Sequence, residues 1–222
     1  MQRFTLLHDG SAQGWHATYL AFHIAARLGA PLQVLHVKSE EETEALKDLA
    51  VHVATGAHAA GVDVETRLLA DFSMDSLKKN ITSVDGLFLP PRLLPDGKAA
   101  SLFLEAFSCP LWVVPFEAQP LDLGVLVNDP LKESHLISYA KTLSNRLEQS
   151  FIAFVLDEQF DSTLRPELSG IKWKSLQEFS PSQINEALEQ LKISLLLLPE
   201  SNILLSKNLN CNLVIHPRAK DA

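Results

Sequence analysis

The chain has 222 residues, enough for one large or two small domains. Apolar residues make up 46% and charged residues 21%, an ordinary globular composition. A formal charge of −8 argues against nucleic acid or an anionic membrane as the main partner, because neutralising phosphates requires a surplus of Lys and Arg.

The two cysteines, Cys109 and Cys211, fit a reducing cytoplasm better than a disulfide scaffold. The first residues lack the basic region and long apolar run of a signal peptide. No apolar run reaches the roughly 18 residues of a membrane span; Leu195 to Leu198 is of strand length. A cytoplasmic location is the expectation.

The chain opens on Phe4-Thr5-Leu6-Leu7-His8-Asp9-Gly10-Ser11, a short buried strand that stops at a turn. Ser11 is placed to cap the orphan N–H groups of a following helix. Ala17, Leu20, Ala21, Ile24, Ala25 and Leu28 then recur at helical spacing, and Gly29 is a stop. Leu32 to Val37 reads as a strand, Glu40 to about Ala60 as a helix with an acidic start, and Val62 to Leu69 as a strand. A short helix over Ser73 to Asn80 precedes the strand Leu87 to Leu89. Pro90 to Asp96 holds three prolines and is predicted to be a loop. Gly97 to Phe107 is a helix and Leu111 to Val114 a strand.

Glu117 to Asp122 reads as a linker, after which the pattern restarts. Leu123 to Val127 is a strand, Leu136, Ala140, Leu143 and Leu147 mark a helix, and Phe151 to Leu156 is a strand. Gln159 to Gly170 is polar and irregular. Ile171 to Leu176 is a strand, and Ser180-Pro181 opens a helix running to about Leu191. Leu195 to Leu198 and Leu213 to Ile215 are strands. Alternating strands and helices imply right-handed crossovers and a parallel sheet, and near-continuous apolar strands imply both faces covered. The halves are an internal repeat: Ser108 to Pro115, with Cys109, answers Asn210 to Pro217, with Cys211, and Asp9 answers Asp129. From Asp to Cys is 100 positions in the first copy and 82 in the second, which is the more eroded.

Three stretches resemble the universal stress protein family. They are Phe4 to Ser11, the helix end Ala25 to Ala30 with its Leu28-Gly29-Ala30, and the strand Leu32 to Val37 with its His36-Val37. The family has an apolar strand ending in Asp-Gly-Ser, a helix ending near Leu-Gly-Ala and a strand ending near His-Val. The resemblance implies an α/β fold of two tandem units of the Rossmann-like, adenine nucleotide alpha hydrolase-like kind. Each unit would hold a five-stranded parallel sheet of order 3-2-1-4-5. The units would be residues 1–116 and 123–218, the second with shortened helices. It also implies an internal pseudo-dimer paired through Leu111 to Val114 and Leu213 to Ile215, able to assemble further as a homodimer.

In nucleotide-binding members, the Asp of the first strand and a backbone group at the end of the second hold the nucleoside. Phosphates rest on a glycine loop of the form G-x-x-G-x9-G-[ST] after the fourth strand, where bare N–H groups meet a helix N-terminus. Carried onto this chain, the nucleotide-binding candidates are Asp9, Gly10, Ser11, Val37, Arg92, Gly97 and Lys98. Gly97-Lys98 falls where the final Gly-[ST] belongs, and the earlier glycines are replaced by Pro90 to Asp96. Proline has no N–H to offer, and Asp96 adds negative charge, while Arg92 and Lys98 add positive. The second half has Asn128-Asp129-Pro130 in place of Asp-Gly-Ser and no glycine in Pro199-Glu200-Ser201-Asn202. The expected ligand, if any is kept, is a weakly held ATP, ADP or AMP in the first half.

No metal cofactor is expected: His16 and His23 are seven apart, His52 and His58 six apart, and none has the i, i+4 spacing of a zinc helix. These histidines, with His8, read as surface or boundary residues. Cys109 and Cys211 head apolar strands and read as buried, inert thiols. No G-x-S-x-G elbow or Walker loop is present, so no catalytic residue is assigned. The sequence thus reads as a cytoplasmic stress-response or regulatory binding protein, not an enzyme, with nucleotide binding lost or altered and an unidentified protein partner. The alternatives are a true ATP- or AMP-binding protein using an atypical loop, and an enzyme or metal protein.

Overall fold

A computed structural model of the chain describes residues 3–37, 43–69, 71–82, 84–94, 96–117, 122–130, 132–156 and 171–217, with positions 43–47 described through their backbone only. The chain divides into two compact units, residues 1–118 and 119–222.

The first unit runs β1 (Phe4–His8), α1 (Ala12–Leu28), β2 (Leu32–Val37), α2 (Thr43–Ala59), β3 (Val64–Leu69), α3 (Met74–Asn80), β4 (Gly86–Leu89), a 3-10 turn (Pro91–Leu93), α4 (Gly97–Phe107) and β5 (Leu111–Val113). Its strands lie in the order β3-β2-β1-β4-β5, every pairing parallel. Every residue of β1, β2 and β4 is buried, because helices cover both faces of the sheet's centre. The edge strand β3 is largely solvent-facing instead, and carries Glu65 and Arg67. Ala17, Leu20, Ala21, Ile24 and Ala25 form the buried stripe of α1. Trp112 stacks on Phe88 at 4.9 Å, and Phe4 meets Phe88 edge-on at 5.7 Å, filling the floor of the core.

The ends of α1 follow from its sequence. Ser11 Oγ accepts the N–H of Gly14 at the N-terminus. Gly29, at φ +59°, closes the C-terminus through its own N–H and that of Ala30. The proline-rich loop is not wholly irregular, since Pro91 opens a 3-10 turn where its missing N–H would have had no partner. Pro95 lies outside the described residues.

The second unit runs β6 (Leu123–Val127), α5 (Ser134–Leu147), β7 (Phe151–Leu156), β8 (Lys172–Leu176), α6 (Pro181–Gln190), β9 (Leu195–Pro199), a 3-10 segment (Glu200–Asn208) and β10 (Asn212–His216). Its order is β8-β7-β6-β9-β10, again all parallel, so each unit has the order 3-2-1-4-5 of its own strands. Where the first unit has α4, the second has the tighter 3-10 segment, interrupted at Asn202 (φ −102°, ψ 16°). The irregular stretch Gln159 to Gly170, most of the linker Glu117 to Asp122, and Glu40 to Glu42 of the predicted acidic helix start lie outside the described residues.

Candidate ligand crevice

In an open parallel sheet of this order, β1 and β4 part at their C-terminal ends and leave a crevice, because their crossovers leave in opposite directions. Asp9 is the first residue past β1. Its Oδ1 accepts the Ser11 N–H at 3.0 Å and the Ser11 hydroxyl at 2.6 Å, while Ser11 Oγ accepts from Gly14. Asp9, Ser11 and Gly14 therefore clip the strand end to the first turn of α1. Gly10, at φ +76°, makes the turn between them.

The other Asp9 oxygen meets Arg92. Arg92 Nε lies 2.7 Å from Asp9 Oδ2; the Asp9 side chain is 3% exposed and the Arg92 side chain 55%. Among the described residues no N–H is aligned on Oδ2, so the contact is an ion pair without a directed hydrogen bond. Arg92 comes from the 3-10 turn after β4, within the proline-rich stretch that stands where the family resemblance implies a phosphate loop.

A histidine pair lies beside the carboxylate. His8 and His36 are register partners on β1 and β2, 0% and 1% exposed, with rings 5.7 Å apart. His8 Nδ1 accepts the Gly10 N–H at 3.0 Å, which puts the proton of the neutral ring on Nε2. His8 Nε2 and both nitrogens of His36 have no hydrogen-bond partner among the described residues. Trp15 closes over His8 edge-on at 5.0 Å. Burial pushes both histidines down to about 4; for His8 the neighbouring His36 adds to this and Asp9 opposes it. Both rings are neutral at pH 7. This corrects the reading of His8 as a surface or boundary residue: it ends a central strand, and both faces of that strand are covered.

The structure brings together Asp9, Gly10, Ser11 and Arg92. Val37 is the last residue of β2 and is buried. Gly97 and Lys98 open α4, but no described hydrogen bond or ion pair joins either to Asp9. The N-terminus of α4 is not bare, since Asp96 Oδ1 accepts the Ala99 N–H at 2.8 Å. Lys98 is exposed. Sequence reasoning passed over Gly14 and Trp15, and took His36 only as part of the strand-end motif; the available signal was a glycine in the first turn of an amphipathic helix, where it weakens helix formation.

In the second unit the corresponding place is filled by the chain itself. Leu123 begins β6 and pairs with the first residue of β7, as Phe4 pairs with the first residue of β2. On that register Asp9 corresponds to Asn128, not to Asp129 as the sequence repeat suggested. Glu133 accepts the Asn128 backbone N–H at 2.7 Å and its side-chain amide at 2.8 Å. Asn202 donates to Asn128 Oδ1 at 2.8 Å, and Asn128 Nδ2 also reaches Ser201 Oγ at 3.1 Å. A carboxylate from the N-terminus of α5 thus occupies the donors past β6.

Neither a family model nor a curated protein matches the sequence. Solved structures do match it along its whole length. A universal stress protein from Archaeoglobus fulgidus superposes with a TM-score of 0.71 at 15% identity, covering 99% of this chain and 97% of the other. The fold is that of the universal stress proteins. A functionally unknown protein from Pseudomonas aeruginosa PAO1 matches with a TM-score of 0.67 at 12% identity, over 98% and 93%. A candidate universal stress protein from Pseudomonas aeruginosa UCBPP-PA14 matches with 0.63 at 11%, over 98% and 94%. At such identities the likeness is one of fold, in its tandem, two-unit form. Within that fold, the described residues contain no group of three or more His, Cys, Asp or Glu placed to hold a metal ion. None of their helices is long and apolar enough to cross a membrane. Cys109 and Cys211 are buried, and burial pushes both thiols up to about 12.

Proposed function

We propose that this chain is a cytoplasmic stress-response or regulatory binding protein in which adenine-nucleotide binding is altered: weak, confined to the first unit and without hydrolysis. The observation that carries this reading is the ion pair of Asp9 with Arg92. The carboxylate that would receive a nucleoside already has a cation on Oδ2, the oxygen that Ser11 does not use. The loop that would wrap the phosphates offers prolines in place of glycine N–H groups. The counterpart in the second unit is taken by Glu133.

Weak binding here means a dissociation constant in the micromolar to millimolar range, roughly −8 to −4 kcal/mol. No lysine of a Walker loop and no hydroxyl placed for Mg²⁺ supports phosphoryl transfer. Thermal unfolding in the presence of AMP, ADP and ATP tests the reading. A ligand at a hundred times its dissociation constant stabilises by about 2.7 kcal/mol, so the melting point should stay fixed at nucleotide concentrations below about micromolar and rise only as they pass into the micromolar to millimolar range. Saturation by ATP below micromolar concentration would favour the alternative of a true ATP- or AMP-binding protein with an atypical loop. Steady phosphate release that disappears in Asp9→Ala would overturn the non-enzymatic part.

A further inference from the structure

We propose that Arg92 is a displaceable latch on Asp9, so that the first-unit crevice takes phosphorylated adenosine in preference to adenosine itself. This rests on the reading of the crevice as an adenine-nucleotide site.

The two oxygens of Asp9 have different duties. Oδ1 receives two donors from Ser11 and holds the turn. Oδ2 is the oxygen left for a ligand, and its described partner is Arg92 at 2.7 Å. That contact has the marks of a replaceable one. It lacks hydrogen-bond alignment. It is made by the chain nitrogen Nε, which leaves the two terminal nitrogens of the guanidinium without a described partner. The side chain is more than half exposed, on a three-residue 3-10 turn between prolines.

A neutral ligand that needs Oδ2 must evict the guanidinium and gives it nothing in return. A ligand carrying a phosphate offers a second anion, and guanidinium pairs with phosphate in a bidentate fork that Asp9 Oδ2 alone does not offer. Arg92 then passes from Asp9 to the phosphate, and the same movement frees Oδ2 for a hydroxyl or amino group of the nucleoside. Selection for the charged ligand arises because one side chain both guards the carboxylate and reads the phosphate.

Calorimetric titration of adenosine, AMP and ATP into the wild type and Arg92→Gln tests this. Gln keeps length and polarity but not charge, and position 92 is exposed, so folding should be retained and is checked by circular dichroism. The wild type should bind AMP and ATP about tenfold tighter than adenosine, the size of one charge-assisted hydrogen bond. In Arg92→Gln the nucleotides should weaken and adenosine should tighten, so that the preference disappears or inverts. Adenosine binding by Arg92→Gln alone would equally support the latch. Retention of the wild-type ranking and ratios in Arg92→Gln, or equal affinity of the wild type for all three ligands, would overturn the latch while leaving the binding reading intact. Failure of every ligand to bind either protein would overturn both.

Discussion

A Cβ at position 14 would lie 2.7 Å from Asp9 Oδ1, so the absence of a side chain at Gly14 is what allows the carboxylate to reach Ser11. The glycine is a spatial requirement of the turn, and it sits inside a helix where it would otherwise be a weakness.

Gly14→Ala separates these effects. Alanine should gain up to about 1 kcal/mol of helix propensity. It should lose more than that, because the carboxylate must move away from two Ser11 donors, each bond to a charged group being worth about 1.5–3 kcal/mol. Because Oδ1 is the end of a side chain and can shift while keeping part of both bonds, the expected net result is a destabilisation of about 1–2 kcal/mol, read as a lower urea midpoint with an unchanged slope. A variant as stable as the wild type would show that the turn relaxes freely around the methyl group.

Glu133 should prove structural to the second unit. Glu133→Ala strips the acceptor from the Asn128 N–H and should cost about 1–3 kcal/mol, nearer the low end because the group is only part-buried and water can reach it. Glu133→Gln keeps one acceptor oxygen and should cost less. Amide exchange at Asn128 reports the site directly: faster exchange in Glu133→Ala than in Glu133→Gln is expected. Unchanged exchange in both would mean that the carboxylate contributes nothing there.

His8 and His36 set a direction for the pH dependence. Their folded-state values are near 4, against 6.5 for the free side chain, so below about pH 6.5 the unfolded chain binds protons that the folded chain refuses. Stability should therefore be level above pH 7 and fall as the pH drops from about 6.5 toward 4. The loss is on the order of 3 kcal/mol for each histidine. His36→Leu should flatten the fall, measured as urea midpoints across that range. A wild-type midpoint that stays constant between pH 7 and 4.5 would contradict the burial of neutral rings.

The sequence alone determined the two-unit α/β architecture. Unbroken apolar strands such as Leu195 to Leu198 need cover on both faces, and the Ser11 and Gly29 caps mark the ends of α1 through local hydrogen bonding. It also located the Asp9-Gly10-Ser11 turn, because a glycine at positive φ and a capping serine act within a few residues of each other. The tertiary structure decided what the crevice contains. Asp9 and Arg92 are 83 positions apart, and nothing local dictates that the arginine folds back on the carboxylate. His8 and His36 meet only through parallel register, and Asn202 meets Asn128 only through the return of β9 to β6, whereas Glu133 reaches Asn128 from five positions along the chain. Local patterning fixes an element from the residues within it, whereas a site at a strand crossover is assembled by side chains whose encounter depends on the whole sheet.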